Sequence, residues 1–172
     1  VLANKGQSVD VSVKKAAGYG EPQRFGGNID LAKLARLLKK LGKDGVSYIQ
    51  IDTCPDGWNG QPVSMANMEA VKELAAACSV PLVIDISDVL ENAYWIRKVE
   101  DPKQGILEIA KRIIQLADIV LMDASQDPRS DVGGFIASAH EDCFAKLRTE
   151  VVVFEGLHTY GGMSGRAMEV FA

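Results

Sequence analysis

The stretch "PLVIDIS" (residues 81–87) decides the fold, because it is a continuous apolar run with an aspartate near its end. Such a run is typical of a parallel strand that is covered on both faces. Two other stretches have a similar form, "YIQIDT" (48–53) before it and "DIVLMDA" (118–124) after it. Segments with the apolar periodicity of a helix lie between these three stretches. This alternation predicts an α/β protein with a mainly parallel sheet flanked by helices.

Three helices are predicted, one before the stretch at residues 48–53 and one in each connection between the three strands. Asp30 caps the first, Ser64 caps the second, and the third carries apolar residues from Ile106 to Ala117. The remaining elements are a strand at Val9–Val13, a connection containing "ENAYW" (91–95), a strand at "GFIAS" (134–138), a short helix near Glu141–Leu147, an extended piece at "VVVFEG" (151–156) and a final helix starting in "SGRAMEVFA" (164–172). Residues 1–172 are expected to form a single domain.

Composition excludes several classes of protein. Hydrophobic residues make up 47% of the chain and charged residues 24%, and the net charge is −4, which favours a globular protein without a nucleic-acid surface. Three cysteines without a C-x-x-C spacing and two histidines predict neither a disulfide framework nor a structural metal site. No apolar run is long enough to span a bilayer, so a cytoplasmic protein without a membrane partner is expected. Because the sequence starts at Val1, it is expected to be a fragment or a processed product.

Polar residues follow each predicted central strand, at Asp52–Asp56, Asp85–Asp88 and Asp123–Asp131. In open α/β sheets the ligand crevice lies beyond these carboxyl ends. By spacing alone, Asp85 is a carboxylate that caps the next turn, and the alternative is a buried carboxylate that faces a cationic ligand atom. The loop "LMDASQDPRSDVGG" (121–134) contains no lysine, histidine or cysteine.

Several motifs carry a resemblance to a known family. They are "FGGNIDLAKL" (25–34), "GQPVSMANMEAVKEL" (60–74), "PLVIDISDVLENAYWI" (81–96) and "VVVFEGLHTYGGMSGRAMEVFA" (151–172). Their order and spacing resemble the β-eliminating lyases, tryptophanase and tyrosine phenol-lyase, over the whole chain. The resemblance covers the middle of a longer family protein. It implies part of the large domain of a fold-type I enzyme that depends on pyridoxal phosphate (PLP).

The resemblance also implies a role for each residue at the strand ends. Asp85 matches the family aspartate that pairs with the pyridine nitrogen of PLP and keeps it protonated. Asp88 stands where the family has an arginine near the phenolic oxygen of the cofactor. Asp56 stands where it has an asparagine that contacts that oxygen and the substrate carboxylate.

In the loop at residues 121–134 the family pattern is a hydroxyl residue followed by two lysines. Asp123 takes the place of the hydroxyl residue that contacts the phosphate, and Ser125 takes the place of the first lysine. Gln126 takes the place of the second lysine, which forms the Schiff base with PLP. No lysine occurs between Lys111 and Lys146, so a slip of one or two residues does not supply one.

These replacements reverse the charge of the site. The matched family positions hold three cations and one anion, whereas Asp56, Asp85, Asp88 and Asp123 supply four potential anions and no cation joins them. An amide does not form an aldimine. A chain that binds no PLP and has lost lyase catalysis, acting as a pseudoenzyme or subunit scaffold, is therefore the first hypothesis.

Two alternatives remain. The acidic pocket binds a cation or an amine, or the chain is an active PLP-dependent carbon–carbon lyase completed by missing segments or a partner chain. A homo- or hetero-oligomer is expected in each case. Cys54 is predicted to be a buried thiol without a base partner, and His140 a surface histidine at a helix start.

Overall fold

The computed structural model describes residues 5–13, 24–54, 60–154, 156 and 163–171. Within them, the helices are α1 (Leu31–Leu41), α2 (Met65–Ala77), α3 (Val89–Val99), α4 (Ile106–Leu116), α5 (Glu141–Phe154) and α6 (Gly165–Phe171). The strands are β1 (Ile49–Asp52), β2 (Leu82–Asp85), β3 (Ile119–Asp123) and β4 (Gly134–Ser138), and a 3₁₀ turn lies at Lys43–Gly45.

The four strands form one sheet in the order β1-β2-β3-β4. Strand β2 pairs in parallel with β1 on one side and with β3 on the other, and β4 runs antiparallel to β3. Since parallel neighbours require a crossover, α2 lies between β1 and β2, and α3 and α4 lie between β2 and β3. The predicted α/β fold with a mainly parallel sheet flanked by helices is confirmed.

The two faces of the sheet differ in burial. One face carries Ile51, Ile84 and Val120, which lie in the hydrophobic core together with apolar residues of α1, α2, α3 and α4. The opposite face carries exposed Gln50 and Asp52 on β1. Because side chains alternate along a strand, the register places Gln50 and Asp52 on the same face as Val83 and Asp85 of β2. The hydrophobic core cluster therefore lies on one side of the sheet, and on the other side Val83 of β2 is buried as well.

Both predicted caps are present. The Asp30 side chain accepts a hydrogen bond from the Lys33 N–H (2.9 Å), and the Ser64 hydroxyl accepts one from the Asn67 N–H (3.1 Å). Each cap satisfies a donor that the first helical turn leaves open. The caps therefore fix where α1 and α2 begin.

Three local predictions were wrong. The connection containing "ENAYW" is α3, because its apolar positions Val89, Ala93 and Ile96 form one buried stripe. Residues 151–154, predicted as extended, complete α5, which begins at Glu141 as predicted but continues to Phe154. The predicted strand Val9–Val13 forms only a single antiparallel bridge, between Ser12 and Ile29.

Two buried asparagines hold the loops that precede α1 and α2. Asn92 on α3 is fully buried, and its side-chain amide makes two bonds to Val63, accepting from the N–H (2.7 Å) and donating to the C=O (3.0 Å). Asn67 on α2 does the same to Ile29, at 2.8 and 2.9 Å. Gly27 packs so closely on this region that an added Cβ would lie 2.4 Å from the Gln61 carbonyl oxygen. We call Asn67 and Asn92 the amide clamps.

At the N-terminal end of β3, Asp118 joins three parts of the fold. Its Oδ2 accepts from the Leu82 N–H (2.8 Å), and its Oδ1 lies 2.8 Å from the Lys72 Nζ and 3.5 Å from the His140 Nε2. Burial acts to raise the pKa of Asp118, but the Leu82 N–H and the Lys72 ammonium outweigh it and hold that pKa below its usual value. His140 is exposed beside α5, as predicted.

In the part of the chain that the structure describes, no helix combines the length and the apolar character needed to cross a membrane.

Candidate functional site

A groove of about 920 Å³ runs along β1 and opens at the carboxyl ends of β1, β2 and β3. Its floor is apolar, with Ile29, Leu34 and Leu38 from the core. Residues 6–12 form one wall, and residues 45–54 form the other. The groove therefore lies where the topology of an open α/β sheet places a ligand site.

Asp85 sits at the centre of the strand ends and is half-buried. Its Oδ1 accepts from both the N–H (3.0 Å) and the hydroxyl (2.5 Å) of Ser87, and the Ser87 hydroxyl accepts from the Asp123 N–H (2.9 Å). This short chain of bonds joins the end of β2 to the end of β3. Asp85 thus takes the turn-capping role that spacing favours, while no described residue donates a hydrogen bond to its Oδ2.

The loop after β3 is folded tightly on itself. The Ser125 N–H donates to the Asp123 carboxylate (2.8 Å), and the Ser130 N–H donates to the Ala124 carbonyl (2.8 Å). Asp127 attaches the loop to α3, because its Oδ2 accepts from the Leu90 N–H (2.6 Å) and its own N–H donates to the Ser87 carbonyl (3.0 Å). Asp127, rather than Asp88, therefore caps the start of α3, since Asp88 makes no side-chain cap bond there.

The charges of this region are fixed by local contacts. The N–H and hydroxyl of Ser125 hold the pKa of Asp123 below its usual value, and the hydroxyl and N–H of Ser12 do the same for Asp10. Burial raises the pKa of Asp127. Burial, followed by the charges of Glu91, Asp88 and Asp127, raises the pKa of Cys54 to about 12. The prediction that Cys54 is a buried thiol is confirmed, since it is buried and is held protonated.

Four of the residues that the sequence predicted for the site line the groove. Asp85, Asp88 and Asp123 meet there, and Gln126 joins them from the loop. Ser125 is exposed and does not line the groove. Asp56 lies outside the described residues. Sequence reasoning missed Asp10, which lines the opposite wall, and the bridging Ser87; the alternation of Val9, Asp10 and Val11 was the signal available for Asp10.

The side chains of the groove do not fit PLP. Five aspartates line it (Asp10, Asp52, Asp85, Asp88 and Asp123), and the described lining residues include no lysine, arginine or histidine. Covalent attachment of an aldehyde requires an amine, and a phosphate requires cations or free N–H donors. The donor set here offers carboxylates, which repel a phosphate. Across the described ranges, no three histidine, cysteine, aspartate or glutamate side chains are arranged to hold a metal ion.

Known proteins are similar to this chain in sequence over nearly its whole length. The sequence profile of the beta-eliminating lyases matches residues 1–166. A probable tryptophanase of Aeropyrum pernix is 40% identical over 174 residues, covering 100% of this chain and 37% of that protein. A tyrosine phenol-lyase of Nostoc punctiforme is 34% identical over 169 residues, covering 97% of this chain and 36% of that protein. The chain thus spans little more than a third of the length of these relatives.

Among solved structures, a putative aromatic amino acid beta-eliminating lyase/threonine aldolase from Exiguobacterium sp. 255-15 shares the fold. Its TM-score is 0.54 at 12% identity, and the match covers 72% of this chain and 31% of that one. The fold is thus an α/β domain of the kind found in that protein. The chain belongs to the β-eliminating lyase family.

Proposed function

We propose that this tryptophanase-like domain has lost PLP-dependent lyase catalysis and acts as a pseudoenzyme or subunit scaffold. The observation that carries the proposal is the lining of the groove at the strand ends, where five aspartates and Gln126 are described and no lysine, arginine or histidine is among the described lining residues. PLP chemistry requires a lysine amine for the Schiff base, and the loop after β3 supplies an amide in its place. The ionised Asp123 disfavours the phosphate as well.

The test is a titration of the purified protein with PLP, followed by the visible spectrum. Reduction with borohydride and mapping of modified lysines then reports any aldimine. We expect the spectrum of free PLP and no specifically modified lysine. A saturable aldimine band with one modified lysine, or release of ammonia from tryptophan, tyrosine or cysteine, would falsify the proposal. Gln126→Lys is the matched variant, because it adds an amine at the position where the family pattern has the lysine that forms the Schiff base.

A second candidate function is the binding of an amine in the acidic groove. It is supported by the five carboxylates over an apolar floor, an arrangement that suits a cationic group on a hydrophobic stem. The described residues favour an amine over a divalent metal, since no three of them are arranged around a metal ion. Calorimetry with spermidine, magnesium and calcium tests this candidate, and three flat titrations would end it.

The remaining alternative is an active lyase completed by a partner chain. The partner would have to bring an amine to the position that Gln126 occupies, so the PLP titration repeated on the isolated complex tests it. A cytoplasmic, oligomeric protein is part of the proposal. Exposed apolar side chains on β4 and α5, among them Ile136, Phe144 and Phe154, support association. Light scattering of the purified protein measures the oligomeric state.

A further inference from the structure

Helix α1 and the turn that follows it carry a concentration of positive charge. Residues 31–43 contain five of the 19 lysine and arginine residues of the chain and none of its 23 acids, although the net charge of the chain is −4. Three of the five, Lys33, Arg36 and Lys40, follow one another at intervals of three and four residues, so they lie along one face of the helix. We call these three residues the basic stripe. An acidic chain thus presents one strongly basic helix face.

The charges of the basic stripe are not paired within the described residues. Other cations of the fold stand in ion pairs: Lys72 with Asp118, Arg112 with Glu69 and Arg166 with Asp131. No described acid forms an ion pair with Lys33, Arg36 or Lys40. Lys33 interacts electrostatically with Asp10, but that carboxylate already accepts hydrogen bonds from the N–H (2.8 Å) and the hydroxyl (2.6 Å) of Ser12. The stripe therefore has unused capacity for an anion.

Helix stability does not account for the whole stripe. Cations favour the last turn of a helix, which gives a structural reason for Lys39 and Lys40. Lys33 lies in the first turn, where the helix dipole disfavours a cation, and Arg36 lies in the middle of α1. Like charges three and four residues apart on a helix also repel each other. The stripe thus destabilises the free helix, and a bound anion would relieve that repulsion.

The basic stripe lines a cleft of about 210 Å³ whose remaining described lining is Val9, Val11 and Leu37. This wall is attached to the start of α1, because the Asp30 N–H donates to the Val11 carbonyl (2.8 Å). No aromatic ring is among the described lining residues, so the bases of a nucleic acid would find nothing to stack on. The cleft thus combines three cations with aliphatic surface, which suits carboxylates on short aliphatic stems.

The spacing of the stripe suits an extended segment. At the rise of a helix, Lys33 and Lys40 are about 10 Å apart along the axis of α1. Acids at three alternate positions of an extended chain span about 13 Å, which long basic side chains accommodate. No five consecutive residues of this chain contain three acids. A second copy of the chain therefore offers no such segment, and charge complementarity favours a different polypeptide.

We propose that the basic stripe of α1 binds an extended acidic segment of a different polypeptide, in which carboxylates at alternate positions pair with Lys33, Arg36 and Lys40. The aliphatic wall contacts the stems of those acidic side chains. The proposal does not rest on the loss of catalysis, because none of the five aspartates of the strand-end groove lines this cleft.

The experiment titrates the purified protein with the peptide acetyl-Glu-Ser-Glu-Ser-Glu-amide and follows the amide NMR signals of α1. We expect saturable shifts with a Kd below about 1 mM in about 20 mM sodium chloride. Binding should weaken at least about threefold in about 150 mM sodium chloride, because exposed charges are screened. The matched peptide with glutamine in place of glutamate should bind at least about tenfold more weakly. The isomer acetyl-Glu-Glu-Glu-Ser-Ser-amide keeps the charge, changes the spacing and should bind about threefold more weakly.

Two neighbouring lysines separate the stripe from the general charge of the helix. Lys40→Gln removes a cation that lines the cleft, so the affinity for the alternating peptide should fall about three- to fivefold. Lys39→Gln removes the same charge one position away, outside the cleft, and should leave the affinity within about twofold. Arg36→Gln should resemble Lys40→Gln. Both lysines are exposed, so the variants fold alike.

Several results would overturn the proposal. One is the absence of saturable shifts in α1 with the alternating peptide up to about 5 mM. Equal losses for Lys39→Gln and Lys40→Gln, or equal binding of the two glutamate peptides, would reduce the effect to unspecific charge. Tighter binding of a short oligothymidylate of the same charge would assign the stripe to nucleic acid. Shifts of the α1 signals that rise with the concentration of the protein alone would assign it to a second copy of this chain.

Discussion

The amide clamps and the loop after β3 are both built from side chains that bond to backbone, yet they contrast sharply in what surrounds them. Asn92 is fully buried and is one of the residues of the "ENAY" motif that carries the family resemblance. Gln126 is exposed and stands where that resemblance expects a lysine. The motifs that carry the resemblance therefore hold the scaffold, while the resemblance predicts different residues at the positions expected to contact a cofactor, except at Asp85.

This contrast shows which part of the structure the sequence similarity reflects. A buried amide that satisfies an N–H and a C=O of another loop cannot change without loss of folding free energy. An exposed loop side chain is under no such constraint. High similarity over the whole chain is thus compatible with a groove of different chemistry.

The largest expected loss in the free energy of unfolding comes from removing the amide clamp that holds the loop before α2. Asn92→Ala leaves the N–H and C=O of Val63 without their partners, so we expect the free energy of unfolding to fall by about 2–5 kcal/mol. Gln126→Ala, the matched change in the loop, should alter it by no more than about 0.5 kcal/mol. Urea unfolding measures both. Equal losses for the two variants would remove the distinction between scaffold and loop.

A smaller effect is expected at Gly27, where the clamped loops pack on each other. Gly27→Ala places a Cβ against the Gln61 carbonyl oxygen, and backbone must move to relieve the contact. We expect a loss of about 1–3 kcal/mol in the free energy of unfolding. Gly165→Ala is the control, since an added Cβ there meets nothing within 4 Å. Equal free energies of unfolding for the two variants would contradict the close packing at Gly27.

The smallest expected effect is a pH-dependent change in the free energy of unfolding, which differs between the two ends of β3. The pKa of Asp118 is lowered in the folded protein, so its contribution is present above the unfolded value and is lost as the pH falls through the folded pKa. We expect Asp118→Asn to cost about 1–2 kcal/mol at neutral pH and less in acid. Asp123→Asn at the exposed end should have a small effect at both pH values. Urea unfolding at pH 7 and about pH 3 checks this, and a pH-independent loss for Asp118→Asn would contradict the linkage.

Much of the scaffold could be predicted from the sequence. The strand stretches at 48–53, 81–87 and 118–124 contain β1, β2 and β3, because buried parallel strands require continuous apolar runs. Asp30 and Ser64 revealed two helix starts through their capping side chains. Helix α3 was missed because its cap comes from Asp127, a residue distant in the chain. Residues 151–154 have strand propensity, but the helix begun at Glu141 extends through them, so propensity was overridden.

The site was predictable only in part. Asp85, Asp88 and Asp123 were found because parallel strands end at the same edge of a sheet. The opposite wall with Asp10 was not found, since its position depends on a single bridge between residues far apart in sequence. The assignment of Gln126 to the Schiff-base position rests on the resemblance and stays a prediction, as does the single domain at residues 1–172.

The order of the sheet has a consequence for how the chain folds during synthesis. Each strand lies next to the one that precedes it in the sequence, from β1 to β4. Among the described strands, β2, β3 and β4 each meet an edge that already exists when they leave the ribosome, and none of them waits for a later segment to separate two earlier strands. We expect the described sheet to assemble in the order of translation, with short-lived exposure of each new edge. Such vectorial assembly limits the time in which an unpaired strand is open to aggregation.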